Sequence, residues 1–330
     1  MTPTISKFAN ALSSSAKPTG LGLVCTAFLT FSATAHEATS VDITGAIFAS
    51  TRADCASYEN LYSSDVTDTQ QYRQLKGSVH VTAYDDHCVV ESNSIPNHDT
   101  GEGSGRNFVA PVTEISGSFT IPRSPKQQAS VTALEQRSYD AILLNGVVVD
   151  ILSAGCYRPG GNRVDANGNV AIGCRATDKW LLDPLGPDAG FGADIHHAHT
   201  QPNGQYHYHG NPMAMFDDQP GDDGSPVIGF AADGFPIYGS YFKDAAGAVR
   251  KAKSGYSLKP GTRPSSASDP GGTYDGMYVD DFEFTDAGDL DACNGMVVNG
   301  QYAYYVTDAY PWVIKCFSGT PDSSFAKPRP

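Results

Sequence analysis

Basic residues, tryptophan and long apolar runs are all scarce in this chain of 330 residues. There are 22 Lys and Arg against 36 Asp and Glu, a formal net charge of −14, and only two Trp. So acidic a chain does not suit nucleic-acid or anionic-membrane partners, both of which require basic patches. A transmembrane helix needs about 20 mostly apolar residues, and no segment after residue 35 supplies one. The cysteines form no C-x-x-C pair and have no zinc-ribbon spacing. H-E-x-x-H and G-x-S-x-G are also absent, so no standard metalloprotease or nucleophile-elbow signature is available.

Residues 1–35 read as a secretory signal. Lys7 and Lys17 give a positive region, Leu21 to Phe31 an apolar stretch, and Ala33-Thr34-Ala35 a small-residue cleavage site. Cys25 lies in the apolar stretch behind Gly22-Leu23-Val24, a poor lipobox. The expectation is a secreted or periplasmic protein whose mature chain starts at His36. The terminal amine and imidazole of His36 would resemble a copper-binding histidine brace, and the plainer reading is a frayed terminus. Six cysteines remain: Cys55, Cys88, Cys156, Cys174, Cys293 and Cys316. An even count in an exported protein argues for disulfides. Pairing between sequence neighbours is the simplest of the fifteen connectivities that six cysteines allow.

Helical periodicity is scarce, and Gly and Pro punctuate short apolar runs. Ser78 to Ala83, Val112 to Ile121, Ala141 to Leu152, Val227 to Ala232 and Tyr302 to Thr307 read as strands. Asn145-Gly146 and Asp233-Gly234 read as tight turns. Residues 123–137 and 259–273 read as exposed loops. The fold class expected is mainly β: a single large antiparallel β-sandwich-like domain, residues 36–330, with long loops and disulfides.

Five of the nine histidines fall within residues 196–209. Pro202-Asn203-Gly204 suits a three-residue hairpin loop, with glycine at the left-handed position. That loop pairs Gln201 with Gln205, His199 with His207, and His197 with His209. Alternate side chains share a face of a strand, so His197, His199, His207 and His209 would project together, with Tyr206 and Tyr208 behind. Opposed Cβ atoms lie roughly 4.5–5.5 Å apart, a grid on which imidazoles can converge on one ion. A two-residue Asn203-Gly204 loop would instead split the cluster between faces.

Asn203-Gly-Gln-Tyr-His-Tyr-His209 has an echo in Asn299-Gly-Gln-Tyr-Ala-Tyr-Tyr305. At an offset of 96 residues, the four histidines correspond to Cys293, Gly295, Ala303 and Tyr305. The hairpin therefore serves as plain structure, and the histidines are an addition to it.

The block Tyr206-His207-Tyr208-His209-Gly210-Asn211-Pro212 resembles the signature of the YHYH-motif proteins. Ile228 to Gly239, Gly288 to Gly295, Tyr304 to Pro311, Ser92 to Gly101 and Leu144 to Val147 resemble further blocks of that family, covering roughly residues 80–318. The resemblance implies one exported β-rich domain and no settled reaction. The chain departs from the pattern at Met296 and Ala303, where relatives often place histidine, so a metal site built on both hairpins would be depleted.

Four chemistries remain open. The first is a transition-metal site, Zn or Cu, with His197, His199, His207 and His209 as ligands and His196 or His98 in reserve; the plain alternative is hydrogen-bonded aromatic residues on a half-buried sheet. The second is a metal-dependent hydrolase drawing on Asp194, Asp217, Asp218, Asp222, Asp223 or Asp233, which otherwise read as turn residues. The third is calcium at Asp165-Ala-Asn167-Gly-Asn169, which lacks the loop's later glycine and glutamate, or along Asp275 to Asp291. The fourth is a glycan- or peptide-binding module presenting Tyr206, Tyr208, Tyr302 and Tyr304, which sheet packing equally explains. N-terminal sequencing of the exported protein is expected to begin at His36; any other start removes the histidine-brace reading.

Overall fold

The computed structural model describes residues 39–328 apart from Asp188. The expected export signal and His36 lie outside the described residues. Two sheets organise the chain. The first contains β1 (Val41–Asp42), β2 (Asn60–Asp68), β3 (Arg73–Ala83), β4 (His87–Ser92) and β5 (Gly117–Pro122) in sequential order. In β3, Leu75, Gly77, Val79 and Val81 are buried in alternation with exposed residues, as a one-sided sheet requires.

The second sheet contains β6 (Ala141–Leu143), β7 (Val148–Val149), β8 (Ala198–Thr200), β9 (Tyr206–Tyr208), β10 (Val227–Ala231), β11 (Pro236–Tyr238), β12 (Gly295–Val298) and β13 (Gln301–Tyr305). Its order is β8-β9-β7-β6-β10-β11-β13-β12. Its central strands are buried along their whole length, which explains the unbroken apolar runs of Ala141–Leu144 and Val227–Ala232. One continuous hydrophobic core includes Val79, Val90 and Ile121 from the first sheet and Ile142, Val148, Phe230 and Ile237 from the second.

The mainly β expectation holds, with one refinement. β9 runs parallel to β7, and β13 parallel to β11, so the second sheet is mixed. Each pair joins the second strands of two successive hairpins, across connections long enough for a parallel crossover. Val112 to Ser116, expected within a strand, precedes β5 in irregular structure.

The six cysteines among the described residues pair with sequence neighbours: Cys55–Cys88, Cys156–Cys174 and Cys293–Cys316. Cys55–Cys88 closes a sequence separation of 33 residues and ties the turn before β2 to β4. Loop-closure entropy assigns a cross-link of this size about 3–4 kcal/mol. Replacing Cys55 and Cys88 together by Ser should lower unfolding free energy by about that amount in denaturant titrations; an unchanged midpoint would contradict the assignment.

Candidate metal centre

The histidine hairpin has the three-residue loop expected from its sequence. Gln201 N–H donates to Gln205 O at 2.9 Å and Gly204 N–H to Gln201 O at 2.8 Å. Gly204 has φ +87°, and a Cβ there would lie 2.5 Å from Thr113 Oγ1, so both conformation and space call for glycine. His199 pairs with His207, and Ala198 with Tyr208.

Tyr206 and Tyr208 face inward and are fully buried. The Tyr206 hydroxyl donates to Asp194 Oδ2 at 2.7 Å. The Tyr208 hydroxyl accepts from Asn145 Nδ2 at 2.8 Å and meets His98 Nε2 at 2.6 Å. These contacts fix which face of the hairpin points inward.

On the opposite face, His199, His207 and His209 form a nearly equilateral triangle. Their ring centroids are 4.8, 4.9 and 4.7 Å apart. One ring nitrogen from each lies within 4.8 Å of the others, and His209 Nε2 is 3.0 Å from His199 Nε2. Nitrogens bound at about 2.1 Å around one tetrahedral ion sit about 3.4 Å apart, within this range. His199 Nδ1 donates to Phe191 O at 2.9 Å and His207 Nδ1 to Gln205 O at 3.3 Å. A carbonyl only accepts, so each Nε2 keeps its lone pair, the arrangement usual in metal-ligating histidines. His209 Nδ1 is buried without a hydrogen-bond partner.

His197, expected as a fourth ligand, is not in this group. Its backbone is left-handed, φ +55°, at the end of a turn in which His197 N–H donates to Asp194 O. Strand alternation therefore stops at Ala198, and the His197 imidazole is hydrogen-bonded through Nδ1 to Asn211 O at 2.8 Å. The reserves lie elsewhere too: His98 and His196 stack on each other at 3.6 Å, with His98 held by Tyr208.

The triangle opens on a cleft of about 590 Å³, whose lining includes Asp150, Gln201, Arg106 and Lys327. Asp150 Oδ2 accepts from Lys327 Nζ at 2.5 Å and Gln201 Nε2 at 2.9 Å. Burial raises the Asp150 carboxyl, against the pull of Lys327. Sequence reasoning missed Asp150 and Lys327. The signal for Asp150 was its place after the Asn145-Gly146 hairpin, but only the parallel β7–β9 pairing brings it to the histidines.

The carboxylates picked out in sequence are engaged elsewhere. Asp194 serves Tyr206 and the backbone of Gly101 and His196. Asp233 accepts from the Tyr304 hydroxyl and Gly319 N–H. Asp217, Asp222 and Asp223 border a different cavity. Asp165 Oδ1 accepts from the backbone of Asn167 and Asn169, an Asx turn. Arg263 binds Asp275 and Asp281, and Arg250 binds Asp289.

The site thus defines a β-rich protein with a buried imidazole triad at the mouth of a cleft. The sequence model of the family described as "YHYH protein" matches residues 118–319, and the chain belongs to that family. No curated protein and no solved structure matches it. No helix among the described residues is long and apolar enough to cross a membrane.

Burial holds His207 and His209 well below the usual imidazole range, with the neighbouring imidazoles adding to the effect. Burial also takes His98 down to about 3. An unfolded histidine titrates near 6.5, so on acidification the unfolded chain takes up protons first. The stabilisation is complete above about pH 6.5 and is lost as pH falls toward about 3. Buried carboxyls such as Asp140 and Asp183, raised by burial, act in the opposite sense, so the test is differential. In urea titrations with chelator, the ratio of folded to unfolded protein should fall more steeply from pH 7 to 4 for wild type than for the double variant His207→Gln, His209→Gln. Equal slopes would contradict neutral burial of these rings.

Proposed function

We propose that the protein binds one transition-metal ion, Zn or Cu, through His199, His207 and His209, in an oxidising exported compartment. The observation that carries this reading is the triangle of imidazoles with mutually accessible ring nitrogens, His207 and His209 buried, His199 half-buried, and all three held below the usual imidazole range by burial. Imidazole nitrogen suits Zn and Cu. Neutral rings bind metal without first releasing a proton. Three ligands leave a coordination position open, and the cleft lies on that side. Three disulfides accord with an oxidising compartment.

Metal-dependent hydrolysis is the second reading, and Asp150 is the observation that favours it. This buried carboxylate lines the same cleft as the triad, where it suits general-base work on a water or substrate group. Lys327 and Arg106 would place positive charge beside an anionic portion of a substrate.

Untagged protein from the oxidised compartment should carry about one Zn or Cu per chain, as one such site implies. Replacing His207 and His209 together by Ala should remove it, and stoichiometric metal in that double variant would refute the site. Metal supplied at 1,000 times its dissociation constant should stabilise the native protein by about 4 kcal/mol, and the double variant should show no such gain.

A further inference from the structure

The second sheet is two copies of one four-strand unit. β6 and β10 meet as an antiparallel pair in which Ile142 opposes Phe230, with Ala141–Ala231 and Leu143–Gly229 on either side. Exchanging the halves maps this set of pairs onto itself, so a local two-fold axis passes between Ile142 and Phe230. Tyr208 pairs with Val149 as Tyr304 pairs with Ile237. The turns Asn145-Gly146 and Asp233-Gly234 each hydrogen-bond a tyrosine hydroxyl, of Tyr208 and Tyr304 respectively. Asp194 binds the Tyr206 hydroxyl, and Asp291 binds that of Tyr302. His197 and Asn294 are both left-handed, at φ +55° and +71°.

This equivalence corrects the constant offset of 96 used for the echo. The second hairpin turns in two residues, Asn299-Gly300, because Val298 pairs with Gln301. Its first strand is therefore displaced by one, and the partner of Ala303 is Met296. His199, His207, His209 and Asp150 correspond to Met296, Ala303, Tyr305 and Tyr238. A second cleft, of about 350 Å³, lies at the equivalent place. Asp150, Ser153, Ala154, Gln201, His207 and His209 line the first. Their counterparts Tyr238, Tyr241, Phe242, Val298, Ala303 and Tyr305 line the second.

We propose that this second cleft is a metal-independent binding site for a neutral oligosaccharide. None of the four positions equivalent to the triad and Asp150 retains an imidazole or a carboxylate, so the chemistry of the first cleft is gone while the concavity remains. The buried Tyr305 stacks on Tyr238 with centroids 5.4 Å apart and planes 15° apart, and so stiffens the Tyr238 ring from behind. Tyr238 and Tyr241 are half-buried and so retain accessible ring surface for the apolar face of a sugar. The exposed amides of Asn299 and Gln301 border the same space and offer paired donors and acceptors to hydroxyls. Lys243 and Asp223 at the rim offset each other, 3.5 Å apart, so the cleft does not select for charge. Aromatic walls with a few convergent polar groups, in a cavity of roughly 300–1,000 Å³, are usual for small-ligand sites.

The test is calorimetric titration of the full mature chain, with chelator, against cellotetraose, chitotetraose, xylotetraose and maltotetraose. At least one should bind. Gln301→Ala, at an exposed position, should weaken binding by removing a rim amide available to sugar hydroxyls. Tyr241→Ala should weaken binding about ten-fold, equal to 1.4 kcal/mol. The double variant His207→Ala, His209→Ala should bind within about two-fold of wild type, a change under 0.5 kcal/mol. Failure of all four sugars to bind, loss of binding in the histidine variant, or indifference to both Gln301→Ala and Tyr241→Ala would overturn the proposal. So would displacement of the sugars by unrelated peptides at equal concentration. Because chelator is present and the histidines are varied separately, failure here is distinguishable from failure of the metal reading.

Discussion

The register of the histidine hairpin depends on two buried tyrosine hydroxyls. Tyr206 and Tyr208 have no accessible surface, and a buried hydroxyl left unpaired costs about 1–3 kcal/mol. Asp194 and Asn145 are placed to satisfy them. A shift of one residue would strand both hydroxyls, bury imidazoles in the core and turn the tyrosines to water. The register is therefore set from the inner face, and the outer face inherits it. His199 and His207 converge because the residues between and beside them cannot face anywhere else.

Much of this was legible in the sequence, because turn chemistry and strand alternation are local. Pro202-Asn203-Gly204 predicted the loop, and the loop predicted the His199–His207 pair. The mainly β class followed from composition, whereas neighbour pairing of the cysteines was only the simplest of fifteen connectivities until the structure showed it. What failed was alternation past the end of a strand: His197 sits in a left-handed turn that Asp194 organises, so its imidazole leaves the face. What was missed was non-local. Asp150 is over fifty residues before His207, and Lys327 more than a hundred after it. No periodicity announces that a parallel strand pairing and the end of the chain bring them together. The acidic candidates were visible as charges, while their hydrogen-bonding obligations to tyrosines, arginines and turns were not.

The inner-face network also explains why the triad is chemically prepared. Burial removes the water that would solvate an imidazolium, and three rings within 5 Å repel one another's protons. The rings therefore stay neutral and keep their lone pairs. Carbonyls of Phe191 and Gln205 fix the tautomer at two of them. Each effect costs some acid stability, and each is what a metal-binding imidazole requires.

Duplication gives the tyrosine-to-turn contacts a second meaning. In both halves the residues that hold the hairpin lie on one face, and those that line a cleft lie on the other. Folding and cleft chemistry are thus written in alternate letters of the same strand. Selection could rewrite one set in Tyr302 to Tyr305 without disturbing the other, and the two halves of one sheet could diverge as freely as two separate genes.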